Sequence, residues 1–277
     1  MLFALKNLRA SRVNLLMNDF AAGLPSPLSF LGFGDTIVRR LGLTPWSART
    51  LPILHRVDAT DGRTKPEMEN KTNIFSPIET MEDLTGTVDV SLLLEIPYLD
   101  SEAALREVVP QLRIAGGIIQ NDDYTVERVT PDGSAFSNMR RGYAMIRPEQ
   151  DDRRLICSGD KDGLTSIAAT LFPTVRAPGS GWIVPVSVGY HLIEDPKTAP
   201  KRIRTRSRDV PHVFAEPVLG IAEMVSVRNQ RLTNLTEEEF SALLWSWEAR
   251  GKHVLGHPDY HAKNSENRNI EKVENHG

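Results

Sequence analysis

The apolar positions of the chain fall into short runs with strand or helix spacing, separated by stretches rich in proline, glycine and charge. Leu2 to Leu8 reads as an opening strand, with Arg9 and Arg12 at or beyond its end. Gly23-Leu24-Pro25-Ser26-Pro27 marks a turn. Behind it Leu28, Phe30, Leu31, Ile37, Val38 and Leu41 predict a helix, with Ser26 as N-cap and Pro27 at the first helical position. Gly32 and Gly34 weaken that helix but allow a close backbone approach. Ile53 to Ala59 is a second strand, and polar Asp61 to Met81, with two prolines, a protruding hairpin or loop inserted between strands. Val88 to Ile96 is nearly continuous in apolar content, as central strands are. Ser101 caps a helix through about Leu112, and strands follow at Ile118-Ile119 and at Gly142 to Ile146.

Further on, Gly163 to Phe172 has helical spacing, and Gly181 to Ile193 predicts a strand that Pro185 makes an edge or a bulged one. Thr236 and Glu239 form a capping box. Phe240, Leu243, Leu244 and Trp247 make one apolar stripe behind it, so the helix is expected to run to Gly251. On such a helix Trp247 packs in the core, while Trp245 points elsewhere, exposed and available to a partner protein. Residues 258–277 hold almost no core-forming side chains and read as a flexible polar tail. In the first half the order is strand, helix, strand, insertion, strand, helix, strand. That is the split βαβ order of an α+β, ferredoxin-like fold, with further strands and a helix toward the C-terminus.

A length of 277 residues, 40% hydrophobic and 25% charged, suits one large domain or two small ones. A single domain over residues 1–257 is expected. Cys157 is the only cysteine, so neither an intrachain disulfide nor a multi-thiolate zinc site is available. The longest apolar runs fall far short of a membrane span, and the charge of the N-terminal segment follows a run too short for a secretory leader. These features point to the cytoplasm and away from a membrane.

The net charge of −3 conceals segregation. Residues 1–56 carry seven basic groups against Asp19 and Asp35, a net of +5, whereas residues 57–108 hold twelve acidic groups against four basic ones, a net of −8. Lys201 to Arg208 places five cations in eight positions. In extended chain Arg202, Arg204, Arg206 and Arg208 share one face, and arginine forks suit phosphates. A solvated basic loop is the other reading of that segment.

No Walker A, GxGxxG or GxSxG pattern occurs, so nucleotide hydrolysis and serine-hydrolase chemistry lack their usual signs. His253, His257 and His261 are four apart, but Gly256 and Pro258 break the helix that a metal face needs, and neither a metal nor a cofactor is expected. His55-Arg56 at a strand end offers an acid–base group beside a cation, or simply a packing and phosphate contact.

Several motifs together resemble one family. Gly23-Leu24-Pro25-Ser26-Pro27 with Phe30 and Gly32-Phe33, ending in Arg39-Arg40, resembles the opening of the type I-F CRISPR surveillance-complex subunit that caps the crRNA 5′ handle. The family resembled is the Csy-two or Cas-five family of the RAMP superfamily. His55-Arg56 with Arg63-Thr64-Lys65, Val90 to Leu94, Arg113 to Gly117, Gly181 to Tyr190 and Phe214 to Gly220 follow in that family's order, covering residues 1–225. The chain departs from the family in a compressed region between Gly117 and Gly181, and its C-terminal helix and tail are less familiar.

The resemblance implies a RAMP-type, RRM-like domain with a thumb inserted at about residues 57–85, and a structural, non-enzymatic role in antiviral defence. It implies that the partners are the crRNA 5′ handle, the large target-recognising subunit and the first backbone subunit, with target DNA met through the complex. RNA contacts are expected from Arg9, Arg12, Asn14, Arg39, Arg40, His55, Arg56, Arg63, Lys65 and Arg113, with close backbone approach at Gly116 and Gly117. The row Arg202, Arg204, Arg206 and Arg208 joins them. The acidic 57–108 region is expected to face protein partners or solvent. The alternative is a metal-independent endoribonuclease that processes the crRNA precursor, with His55 as acid or base and Lys65 stabilising the phosphorane.

Overall fold

The computed structural model describes residues 1–17, 21–60, 63–71, 74–148, 165, 168–176, 179–200 and 212–258, with backbone alone at 63–71, 74–83 and 258. In chain order the first half runs β1 (Leu2–Asn14), α1 (Pro27–Arg40), β2 (Arg49–Ala59), β3 (Arg63–Lys71), β4 (Ile74–Asp83), β5 (Thr85–Glu95) and α2 (Glu102–Val108). Short strands β6 (Arg113–Ile114), β7 (Gly117–Ile119) and β8 (Thr125–Val129) follow. The second half holds β9 (Tyr143–Ile146), β10 (Trp182–Leu192), β11 (Ala215–Ser226), α3 (Gln230–Thr233), α4 (Glu237–Ser241), β12 (Trp245–Arg250) and β13 (His253–Pro258). The result is an α+β protein with a mostly antiparallel sheet and few helices.

β5 lies between β1 and β2 and runs antiparallel to both, and β8 pairs the far edge of β1. The local order is therefore β8–β1–β5–β2, with α1 linking β1 to β2 and α2 between β5 and β8. β1 extends six residues past Leu8, so Arg9 and Arg12 sit inside the strand rather than beyond it. Two bulges make this possible, one between Leu5 and Leu8 and one between Ala10 and Val13. Each places a residue at positive φ, Asn7 at 63° and Arg12 at 56°. The inserted segment is the hairpin β3–β4, a two-stranded sheet of its own.

α1 starts as its sequence predicts: the Ser26 hydroxyl accepts from the Leu28 N–H, and Pro27 takes the first turn, where its missing N–H has no consequence. The same hydroxyl donates to the Ser187 carbonyl at 2.6 Å, tying the helix start to β10. Phe30, Leu31, Ile37 and Val38 are fully buried, each worth about 1.5–3 kcal/mol relative to exposure. Gly34 is needed for close approach: a Cβ there would lie 3.1 Å from Ala48 and Leu94 side chains and 3.2 Å from Thr50. Gly32 faces open space and has no such role.

The second half closes a ring on β2. β9 pairs β2 at Ile53 and Leu54, β11 pairs β9, β10 pairs β11, β13 pairs β10, β12 pairs β13, and Trp245 of β12 returns to Thr50 of β2. β10 is bulged between Ser187 and Gly189, and β13 covers it only from Gly189 to His191, so among the described residues its earlier part is paired on the β11 side alone. Pro185 lies in the part of β10 that β13 does not reach, so its missing N–H takes no bond from the β10–β13 ladder.

The expected long C-terminal helix is overturned. The capping box at Thr236 and Glu239 forms, but the helix ends at Ser241 and the chain turns into the β12–β13 hairpin. Gly251, at φ 57°, makes the hairpin turn rather than a helix stop. Trp245 is 2% exposed, and its indole N–H donates to the Met145 carbonyl at 2.8 Å. It is core, not a surface anchor. Trp247 is half-buried, edge-on to Trp46 at 5.6 Å between ring centroids. The 258–277 tail lies, beyond residue 258, outside the described residues.

Candidate nucleic-acid interface

Two faces of the β8–β1–β5–β2 sheet follow from register. Leu94 touches α1 at Gly34, so the even positions of β5 and their cross-strand partners face the helices. The odd positions face away. Among these are Asp89 and Ser91 on β5, Arg9 on β1 and Arg56 on β2, with Arg9 and Arg56 both in register with Asp89.

Asp89 is 3% exposed and accepts from two arginines. Arg9 donates through Nε and Nη2 to its two carboxylate oxygens, at 2.8 and 3.2 Å, and Arg140 Nη1 donates to Oδ2 at 3.0 Å. The Arg9 hydrogen bond, with the Arg140 bond and both charges behind it, holds the Asp89 carboxyl below its usual range against the opposing effect of burial. The Arg9 guanidinium is raised in turn, chiefly by that same bond. Both arginine side chains remain about half exposed. One buried anion thus holds two cations at the surface in fixed geometry, with charge left over for an external anion. Asp89 belongs to the acidic region expected to face partners or solvent; instead it lies beneath the arginines.

His55 lies within β2 at a register shift, not at the strand's end. Its Nδ1 is 3.0 Å from the Arg141 carbonyl, which only accepts, so Nδ1 carries the proton. Nε2 then accepts from the Ser91 hydroxyl at 2.7 Å, and that hydroxyl accepts from the Asn7 N–H at 3.1 Å. Burial lowers the His55 pKa, and the Arg140 charge adds to this against the effect of the Arg141 carbonyl. Both ring nitrogens are committed within the chain. Arg56 is exposed and pairs Asp58 at 2.5 Å.

A second group gathers where β1 meets the β6–β7 hairpin. The Asn14 N–H donates to the Ala115 carbonyl, and the Asn14 carboxamide accepts from the Leu16 N–H. Arg12 is exposed in its bulge, and exposed Arg113 donates to the Gly116 carbonyl at 3.1 Å. A Cβ at Gly117 would come within 2.6–2.9 Å of Val13 and the Ser11 carbonyl, so glycine lets β7 close on β1. Gly116, at φ 79°, makes the turn and faces open space.

Arg39 and Arg40 are not part of either group. They end α1 on the helix side of the sheet, where Arg39 pairs Asp35 and stacks over Trp46 at 4.9 Å, and Arg40 reaches Gln111. Arg63 and Lys65 fall on β3, whose side chains are outside the described residues, as are Arg202, Arg204, Arg206 and Arg208. Sequence reading missed Arg140, Arg228, Asn7 and Asn138, which line one cleft with Arg9 and Asp89. The pair Arg140-Arg141 was the available signal. No helix of the described residues is long and apolar enough to cross a membrane. No group of three metal-ligating side chains is assembled among the described residues.

Fold and site define an α+β protein whose antiparallel sheet carries a buried carboxylate under surface arginines. Residues 155–255 match the family model described as CRISPR-associated protein (Cas_Csy2), and the match supports a type I-F Csy CRISPR-associated subunit. No curated protein matches the chain.

Proposed function

We propose that the chain is a non-catalytic, RNA-binding structural subunit of a type I-F CRISPR surveillance complex, and that it caps the crRNA 5′ handle. The carrying observation is the Arg9–Asp89–Arg140 clamp on the sheet face away from the helices. Two preset guanidiniums suit phosphate oxygens, and the adjoining Arg12, Asn14, Arg113 group continues the cationic track along β1. The β8–β1–β5–β2 order, with a helix after β1 and after β5, supports the ferredoxin-like, RAMP-type reading, and the inserted β3–β4 hairpin supports a thumb at about residues 57–85. Arg63, Lys65, Arg202, Arg204, Arg206 and Arg208 are proposed as further RNA contacts. The large subunit and the first backbone subunit are the protein partners, target DNA is met through the complex, and the setting is the cytoplasm. Commitment of both His55 nitrogens within the chain favours binding over cleavage.

The test is binding of full-length protein to RNA carrying the repeat-derived handle, in EDTA. Salt-sensitive binding without cleavage supports this reading, and discrete cleavage lost in His55→Ala overturns it.

A further inference from the structure

The clamp forms one wall of an open cleft of about 620 Å³, within the ~300–1000 Å³ range of small-ligand sites. Its rim carries Asn7 from the first β1 bulge and Asn138 from the loop before β9, both exposed and both at positive φ, 63° and 57°. The Asn7 backbone is pinned on both sides: its N–H donates to Ser91, and its carbonyl accepts from Asn121 Nδ2 at 2.7 Å. Asn121 is fully used, since its Oδ1 accepts from the Arg9 N–H at 2.8 Å and Nδ2 also donates to Asp123. The Asn7 and Asn138 carboxamides, in contrast, have no hydrogen-bond partner among the described residues. Arg228, exposed on the same rim, makes no ion pair with a described residue.

Two exposed carboxamides with open donors and acceptors, one on a pinned backbone, beside the guanidiniums that Asp89 holds, suit a base edge flanked by phosphate. A carboxamide pairs bidentately with the N6 and N7 edge of adenine, and single-stranded RNA offers such edges on unstacked bases. We propose that this cleft takes one unstacked adenine of a single-stranded RNA, with Asn7 and Asn138 reading its edge and Arg140 and Arg228 holding the adjacent phosphate. This rests on the RNA-binding reading above and adds base selectivity to it.

The experiment is fluorescence anisotropy of the full chain with labelled oligoadenylate and oligouridylate of about eight nucleotides, a typical single-strand site size. The expected result is binding of the adenylate about tenfold tighter, the lower part of the range for one good bidentate base contact. The double variant Asn7→Gly, Asn138→Gly keeps positive φ open while deleting both carboxamides, and is expected to lose the preference with uridylate affinity unchanged. Asn7→Asp with Asn138→Asp, which preserves size, is expected to lose it as well and serves should the glycine pair fail to fold. Equal affinity of the wild-type chain for the two oligomers, or a preference kept in a folded variant, overturns the base site and leaves RNA binding standing. Binding of neither oligomer overturns the base site, while the RNA-binding reading itself falls only if handle-bearing RNA also fails to bind.

Discussion

Arg9 grips Asp89 through both carboxylate oxygens across the β1–β5 ladder, and Asp89 is nearly sealed from solvent while Arg9 is half open to it. The carboxylate acts as a fixed mount, so the guanidinium loses little further freedom when an external anion arrives. Replacing Asp89 by asparagine removes the charge-assisted bonds to two arginines and is expected to cost about 1–3 kcal/mol of stability. Its acid limb goes with it. The Asp89 pKa is held down in the fold, so its stabilisation is complete above the unfolded value, near 4, and is lost as pH falls through the lower folded value. Thermal melts between about pH 2 and 7 check both, with Asp89→Asn showing a shallower loss toward acid.

His55 gives a second pH signature at milder acidity. Burial lowers its pKa, so the folded state resists protonation and the unfolded chain takes up the proton first. Stability is therefore full above the unfolded value of about 6.5 and declines as pH falls from there toward the folded value. His55→Gln is expected to flatten the melting-temperature profile between about pH 5 and 7. An unchanged slope in the variant contradicts the assignment.

Trp245→Ala is expected to cost about 3–5 kcal/mol, by leaving a cavity and an unpaired Met145 carbonyl. Trp245→Phe keeps most of the volume and loses the hydrogen bond, for about 1–2 kcal/mol. Trp247→Ala, at a half-buried site, costs less than Trp245→Ala. Urea melts of the three variants rank them, and a larger loss at Trp247 contradicts the hairpin.

How far the sequence discloses this structure varies by element. The Ser26–Pro27 start of α1 and the Thr236–Glu239 box are local devices and form as read. The helix expected beyond the box fails because Phe240, Leu243, Leu244 and Trp247 fit a helical stripe, while Trp245 and Trp247 fit strand alternation equally well. Pairing with β13 and burial of Trp245 settle the competition, and both come from far along the fold. Arg9 was legible as a basic candidate, but Asp89 lies 80 residues away in a segment whose net charge suggested solvent. The Asn7 bulge left no local mark, since asparagine at positive φ replaces the more telling glycine.

The two glycines of α1 are expected to part company. Gly32→Ala meets nothing within 4 Å and gains helix propensity, for about 0.5–1 kcal/mol of added stability. Gly34→Ala places its methyl 3.1 Å from Ala48 and Leu94 side chains and loses that gain to crowding. Paired thermal melts distinguish them.

The central claim is that Arg9 and Arg140 meet RNA phosphate while Arg39, on the helix side, does not. It is tested most directly by the slope of log affinity against log salt for handle-bearing RNA, measured on the wild-type chain and on Arg9→Ala, Arg140→Ala and Arg39→Ala. Each lost phosphate contact to single-stranded RNA lowers the slope by about 0.7. The account predicts that reduction in the first two variants and an unchanged slope in Arg39→Ala. A wild-type affinity indifferent to salt, or a slope that falls in Arg39→Ala and holds in the other two, contradicts it.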